Sequence, residues 1–180
     1  MKGMVYISLN ELVEREHGIQ MWENILAAVQ PPSEGIYTST ENYGDAELVA
    51  LINEISRQTD MPVPELIRYF GEVLFAELNQ KYPIFSSLSS SLFDYLASIE
   101  GVIHQEVRKL YASVSLPSIN THVIDDKTLA LDYHSPRKLC YLAEGLIYGA
   151  AKQYKVSITI DHQQCMHRDN DSCRLVVSYV

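Results

Sequence analysis

The chain has no run of apolar residues near the ~18 that a membrane-spanning helix needs. Its first residues, Met1-Lys-Gly-Met-Val-Tyr-Ile, carry one charge and lead into a short apolar stretch interrupted by Asn10, Glu11 and Glu14. That lacks the length and cleavage site of a secretory signal. Lys and Arg never stand more than two in a row, and the net charge over 180 residues is -9. Neither a nucleic-acid backbone nor an anionic membrane is offered a basic face. Cysteine is scarce: three, all between positions 140 and 173, do not make a secreted disulfide framework. No segment repeats and no composition shift marks a linker. These absences leave a cytoplasmic protein of one domain, 1–180, as the expectation.

What is present suits a buried core, with 47% apolar and 21% charged residues. Helical spacing runs through 1–17 (Val5, Leu9, Leu12), stops at Gly18, and resumes over 19–29 until Pro31-Pro32. Residues 31–44 are rich in Pro, Gly, Ser, Thr and Asn and predict a loop with at most one tight turn. Asp45 is placed to cap a helix to about 58, with Leu48, Leu51, Ile52 and Ile55 inward. A further helix spans 63–81, with Leu66, Ile67, Phe70, Leu74 and Leu78 inward. Ser86–Ser91 reads as a connector or helix start. Another helix covers 92–111. Beyond Ser115 the period changes: 119–124 and 128–133 predict a hairpin turning at Asp125-Asp126-Lys127. A helix over 137–154 and strands over 157–161 and 174–180 complete an α+β chain.

Four groups of residues carry chemistry. Leu96, Ile99, Ile103, Val107 and Leu110 define an apolar helix face, and His104 stands on its shoulder, where an imidazole can serve as an axial metal ligand or simply as a boundary residue of the core. In Tyr133-His-Ser-Pro-Arg137, alternate side chains of an extended segment share one side. Tyr133, Ser135 and Arg137 then offer two hydroxyls and a guanidinium, a set suited to two carboxylates on one rigid edge; ordinary strand-end polarity reads the same way. Leu142, Gly145, Leu146 and Gly149 share a helix face, and its two glycines admit either a flat group or a second helix close to the backbone.

Cys140, His162, Cys165 and Cys173 form the fourth group. His162-x-x-Cys165 sets two soft ligands one turn apart, Cys173 follows, and Cys140 completes a tetrahedral zinc set if the sheet lies near the start of its helix. His167 is the rival nitrogen. Three unrelated buried thiols and thiols that leave zinc to form a disulfide under oxidation are the alternatives. His17, His122 and His134 read as surface residues.

Tyr133-x-Ser135-x-Arg137, about thirty residues after His104, resembles the signature of the heme-nitric oxide/oxygen binding (H-NOX) family, bacterial relatives of the heme domain of soluble guanylate cyclase. The opening Met1-Lys2-Gly3, the Val-Ile-His104 helix, Leu116-Pro117 and the helix Leu139–Gly149 extend the resemblance over the whole chain. It implies an H-NOX-like fold: a helical subdomain over 1–60, then heme-holding helices and a four-stranded antiparallel sheet over 61–180. It implies heme b with His104 as proximal ligand, Tyr133, Ser135 and Arg137 on the propionates, and Pro117 pressing on the porphyrin. Val5, Leu9, Leu74, Leu78, Leu142 and Leu146 match distal-pocket positions. None donates a hydrogen bond, and Leu142 stands where the oxygen-binding branch has a tyrosine. The expectation is therefore a sensor of nitric oxide that also takes carbon monoxide and excludes oxygen. Gas binding breaks the iron–His104 bond and shifts the packing. The output passes to a separate histidine kinase or cyclic-di-GMP enzyme. A branch with a Cys/His zinc site supports zinc as a second cofactor, structural or redox-sensing. Two other classes compete: a peroxidase- or oxygenase-type heme enzyme, and a zinc-stabilised interaction module without heme.

Overall fold

The computed structural model describes residues 1–111 and 114–180. Helices α1 (Gly3–His17), α2 (Ile19–Val29), α3 (Asp45–Thr59) and α4 (Val63–Lys81) come first. α1 stops where Gly18 takes φ +85°, and α4 begins with Pro64 in its first turn, where a missing N–H costs nothing. The inward sets of α3 and α4 are those the spacing predicts, except that Leu78 is only half-buried. With Tyr6, Leu9, Leu12 and Val13 of α1 and Trp22 and Ile25 of α2, they form one core. Asp45 opens α3 but caps nothing; its carboxylate reaches the Met1 ammonium and Arg137 instead. The 31–44 segment is more ordered than a composition of turn formers suggests. After its turn at Glu34-Gly35, Tyr37 and Tyr43 pack on Tyr6, and Tyr37 donates to the buried Glu47 at 2.6 Å.

A short helix α5 (Ile84–Ser87) precedes α6 (Leu92–Ser98), which Ser91 caps by accepting from the Asp94 N–H at 3.1 Å. The helix expected over 92–111 is not continuous. Ile99–Ile103 forms a π-helical turn before α7 (His104–Leu110). Gly101 and the β-branched residues around it hold an α-turn weakly, and a widened turn rotates everything after it. Leu110 is 62% exposed although it lines the same cavity as Ile103 and Val107, and His104 is the only buried residue of α7.

Strands β1 (Ser118–Asp125), β2 (Thr128–His134), β3 (Ile158–Gln164) and β4 (Cys173–Tyr179) form an antiparallel sheet in the order β1-β2-β4-β3. The turn at 125–127 closes with Asp125 accepting from the Lys127 N–H at 2.8 Å. Leu129, Leu131, Tyr133, Leu175 and Val177 make the inner face, packed under α8 (Cys140–Gln153). α8 starts three residues later than its pattern suggests, because Lys138 turns the chain with φ +51°. α4 and α8 share the most extensive helix contact of the fold. There Gly145 meets Gly71 so closely that a Cβ on Gly145 would lie 2.1 Å from the Arg68 carbonyl oxygen. Gly149 sits likewise under the Phe75 ring. Both glycines thus serve helix packing, and the reading of them as a seat for a flat group is corrected: what meets them is α4, not open space. Among the described residues no helix is long and apolar enough to cross a membrane.

Candidate heme cavity and metal cluster

Between α4, α8, the α6–α7 element and the sheet lies a cavity of about 570 Å³, within the size range of small-molecule and cofactor sites. His104, Leu96, Ile99, Ile103 and Val107 line one side; Val5, Leu74, Leu78, Leu142 and Leu146 line it from α1, α4 and α8. Pro117, Tyr133, Ser135 and Arg137 are on the wall as well. Leu9 is not. It is fully buried in the helical core among α1–α4, one turn beyond the level at which Val5 reaches the cavity.

His104 Nδ1 lies 2.9 Å from Glu100 Oε2, one turn earlier across the π-turn. A carboxylate on Nδ1 selects the tautomer that keeps Nε2 for a metal. Burial works against the Glu100 charge, but bonds from Arg108 and His104 hold its carboxyl below the ordinary range. The Ile119 N–H adds a third bond at 3.3 Å and ties the α6–α7 element to β1. Sequence reasoning missed Glu100, although a carboxylate four residues before a candidate ligand histidine was there to be seen.

At the mouth, Arg137 donates through Nε to Asp45 at 2.8 Å and through Nη1 to the Ser115 carbonyl at 2.8 Å. A guanidinium has five N–H donors, so three remain for carboxylates. Asp45 also holds the Met1 ammonium at 2.9 Å. Burial lifts the Tyr133 phenol above its ordinary pKa and keeps it a neutral donor. Tyr82 and Tyr111, also on the wall, are bonded to each other at 3.0 Å, and Tyr95 comes from the element that bears His104. An imidazole with its second nitrogen already anchored, apolar walls and a polar mouth of Arg, Ser and Tyr fit an iron porphyrin with two propionates.

On the far side of α8, ligand atoms of Cys140, His162, Cys165 and Cys173 all lie within 4.8 Å of one another. The Cys140 and Cys165 sulfurs are 3.8 Å apart; a tetrahedron with metal–sulfur bonds of ~2.3 Å has edges of about that length. Burial, then the neighbouring sulfurs, push the Cys140 thiol above its ordinary range, and burial does the same to Cys173. Such crowding is tolerable for thiolates around a dication, which inverts the local preference for protons. His162 Nε2 is fully enclosed without a protein partner among the described residues. His167 stays outside, exposed, with Nε2 on the Lys138 carbonyl at 2.7 Å. His17, His122 and His134 are on the surface.

The model of the family described as "Haem-NO-binding" matches residues 2–162. The chain belongs to the haem-NO-binding family. Among solved H-NOX structures, that of Shewanella oneidensis in the Fe(II)NO state is 33% identical, with a TM-score of 0.94 over all of this chain and 99% of that one. The Shewanella woodyi H-NOX bound to IWP-051 in the Fe(II)CO state is 34% identical, with a TM-score of 0.86 over all of this chain and 95% of that one. The soluble guanylate cyclase gcy-35 of Caenorhabditis elegans is 25% identical over 173 residues; these are 91% of this chain, which spans about a quarter of that protein's length (25%). The α+β architecture read from periodicity is thus the H-NOX fold of a heme-binding gas-sensor family whose solved structures include nitric oxide and carbon monoxide ligation states.

Proposed function

We propose that this H-NOX domain senses nitric oxide through heme b held on His104. The observation that carries the reading is the pairing of an anchored imidazole on one side of the cavity with a side of Val5, Leu74, Leu78, Leu142 and Leu146 that offers no hydrogen-bond donor. Heme, when bound, supplies the iron that takes the gas. Bound oxygen carries negative charge and needs a donor; nitric oxide and carbon monoxide need it far less. The same apolar wall argues against peroxidase or oxygenase work, which calls for a distal acid–base group.

Arg137, Ser135 and Tyr133 would hold the propionates of bound heme, and Pro117 would line the ring's pocket. His104 would hold the iron, so it is the residue through which the fold would respond to the gas. It stands on the α6–α7 element, whose π-turn and Glu100 bond to β1 are the parts able to shift. Two packings with different gas affinity are all such a switch requires. The output goes to a partner in trans, a histidine kinase or a cyclic-di-GMP enzyme, in the cytoplasm. Cys140, His162, Cys165 and Cys173 would hold zinc as the second cofactor, which would tie α8 to the β3–β4 connection.

The test is the absorption spectrum of the ferrous protein, alone and then with nitric oxide, carbon monoxide and air. The expected result is a Soret band that shifts with the first two gases and not with oxygen. In His104→Gly the unliganded band changes and added imidazole restores it. A stable oxygen complex in air refutes the selectivity; an unchanged band in His104→Gly refutes the ligand.

A further inference from the structure

Glu144 is the one acidic residue in α8, and it is 4% exposed. A carboxylate at such a depth needs partners, and it has two. His162 Nδ1 lies 2.5 Å from Oε1, and the Arg68 guanidinium, reaching across from α4, donates to Oε2 at 2.7 Å. With a ring nitrogen on one oxygen and a guanidinium on the other, the Glu144 carboxylate is the acceptor of both bonds. His162 then carries its proton on Nδ1 and presents a lone pair at the enclosed Nε2, beside three sulfurs. Arg68 is itself seated: its guanidinium lies 5.5 Å from the centroid of the Tyr141 ring.

We propose that Glu144 is a positioning residue for the metal ion, fixing the tautomer and basicity of His162, and that Arg68 ties this arrangement to α4. The inference rests on the zinc reading above. Zinc with three thiolates has a net charge of −1, and Glu144 makes it −2; Arg68 returns the cluster to −1. That neutralisation is what makes a buried carboxylate compatible with an anionic metal site. The Arg68–Glu144 pair stands beside the point where Gly145 presses on the Arg68 backbone. Metal occupancy therefore braces the crossing of α4 and α8, the two helices that supply Leu74, Leu78, Leu142 and Leu146 to the cavity.

The experiment uses the heme-loaded full chain and measures zinc affinity by chelator competition, with Co(II) as a spectroscopic probe. Glu144→Gln is expected to weaken zinc about 10- to 100-fold, the usual effect of losing a carboxylate behind a ligand histidine. It should perturb the Co(II) bands, in addition to whatever stability the loss of the Arg68 pair costs the metal-free protein. Arg68→Met keeps the His162–Glu144 bond and should weaken zinc in the same direction by less. A merely structural role would lower metal-free stability in both variants without altering the Co(II) spectrum. Cys173→Ser separates the two readings. If the parent takes up zinc and Cys173→Ser does not, but both Glu144→Gln and Arg68→Met bind as tightly as the parent, the positioning role is overturned and the site stands. If the parent takes up no zinc, both fall.

Discussion

Gly145→Ala sets two effects of opposite sign against each other, and the structure says which prevails. Within a helix, Gly to Ala gains about 1 kcal/mol from backbone entropy alone. Gly145, however, lies against backbone. The added methyl would sit 2.1 Å from the Arg68 carbonyl oxygen and 2.8 Å from the Gly71 Cα. Neither atom can step aside as a side-chain tip can, so α4 and α8 must part by about 1 Å to restore contact near 3.4 Å. Overpacking of this kind costs about 1–3 kcal/mol, and the upper end applies because the Arg68–Glu144 pair at 2.7 Å is stretched by the same movement. The net expectation is a loss of about 1–2 kcal/mol. For a chain of this size that lowers the melting temperature by about 2–8 °C. Gly101→Ala is the matched control: it also lies in a helical turn, but nothing stands within 4 Å of its would-be Cβ, so it should be neutral or slightly stabilising. Thermal unfolding followed by circular dichroism decides. If Gly145→Ala melts at or above the parent, propensity outweighs the helix crossing and the close contact of α4 with α8 is not what holds this part of the fold.

Leu142→Tyr brings a hydroxyl to the cavity wall; a hydrogen bond to a charged acceptor contributes about 1.5–3 kcal/mol, so ferrous oxygen affinity should rise about 10- to 150-fold, and an unchanged oxygen titration would refute the donor argument. Asp45 has a carboxyl that burial raises but Arg137 and the Met1 ammonium lower further, to a value under the ordinary 3.8. A group whose folded pKa is depressed stabilises above its unfolded value and loses that contribution as pH falls through the folded one. Parent and Asp45→Asn should therefore differ most at neutral pH and converge in denaturant melts as pH falls through the carboxyl's lowered pKa, below 3.8; a gap that widens in acid refutes the assignment.

Much of this molecule was legible because its information is local. Apolar residues at helical spacing marked α1 to α4, and alternation with a turn former at 125–127 marked the first hairpin. Tyr133, Ser135 and Arg137 could be grouped because an extended segment has only two sides, and all three line the cavity. Cys140 could be joined to His162, Cys165 and Cys173 because soft ligands have few other uses in so small a space. The pattern failed where one residue of extra turn changes everything downstream. Nothing in a count of apolar positions distinguishes a π-turn at Ile99–Ile103 from a continued α-helix, yet that turn sets the rotation at which His104 enters the cavity.

Long-range pairs were invisible for a different reason. Arg68 and Glu144 are 76 residues apart, and Asp45 and Arg137 are 92 apart; each acid reads as an ordinary helix residue until the topology supplies its base. Glu144 nevertheless left a trace, as a lone carboxylate among Leu139-Cys-Tyr-Leu-Ala and Gly-Leu-Ile-Tyr-Gly. A charge is seldom buried unless paired, so a single acid on a helix with no polar face predicts a partner in space. Here the partners are a guanidinium from α4 and a histidine whose other nitrogen points at three sulfurs. Glu100 and His104 repeat the scheme at the cavity, a carboxylate behind an imidazole. In both places the residue that orients the ligand was harder to read than the ligand itself, since a metal-binding atom is recognisable by type and its support only by position.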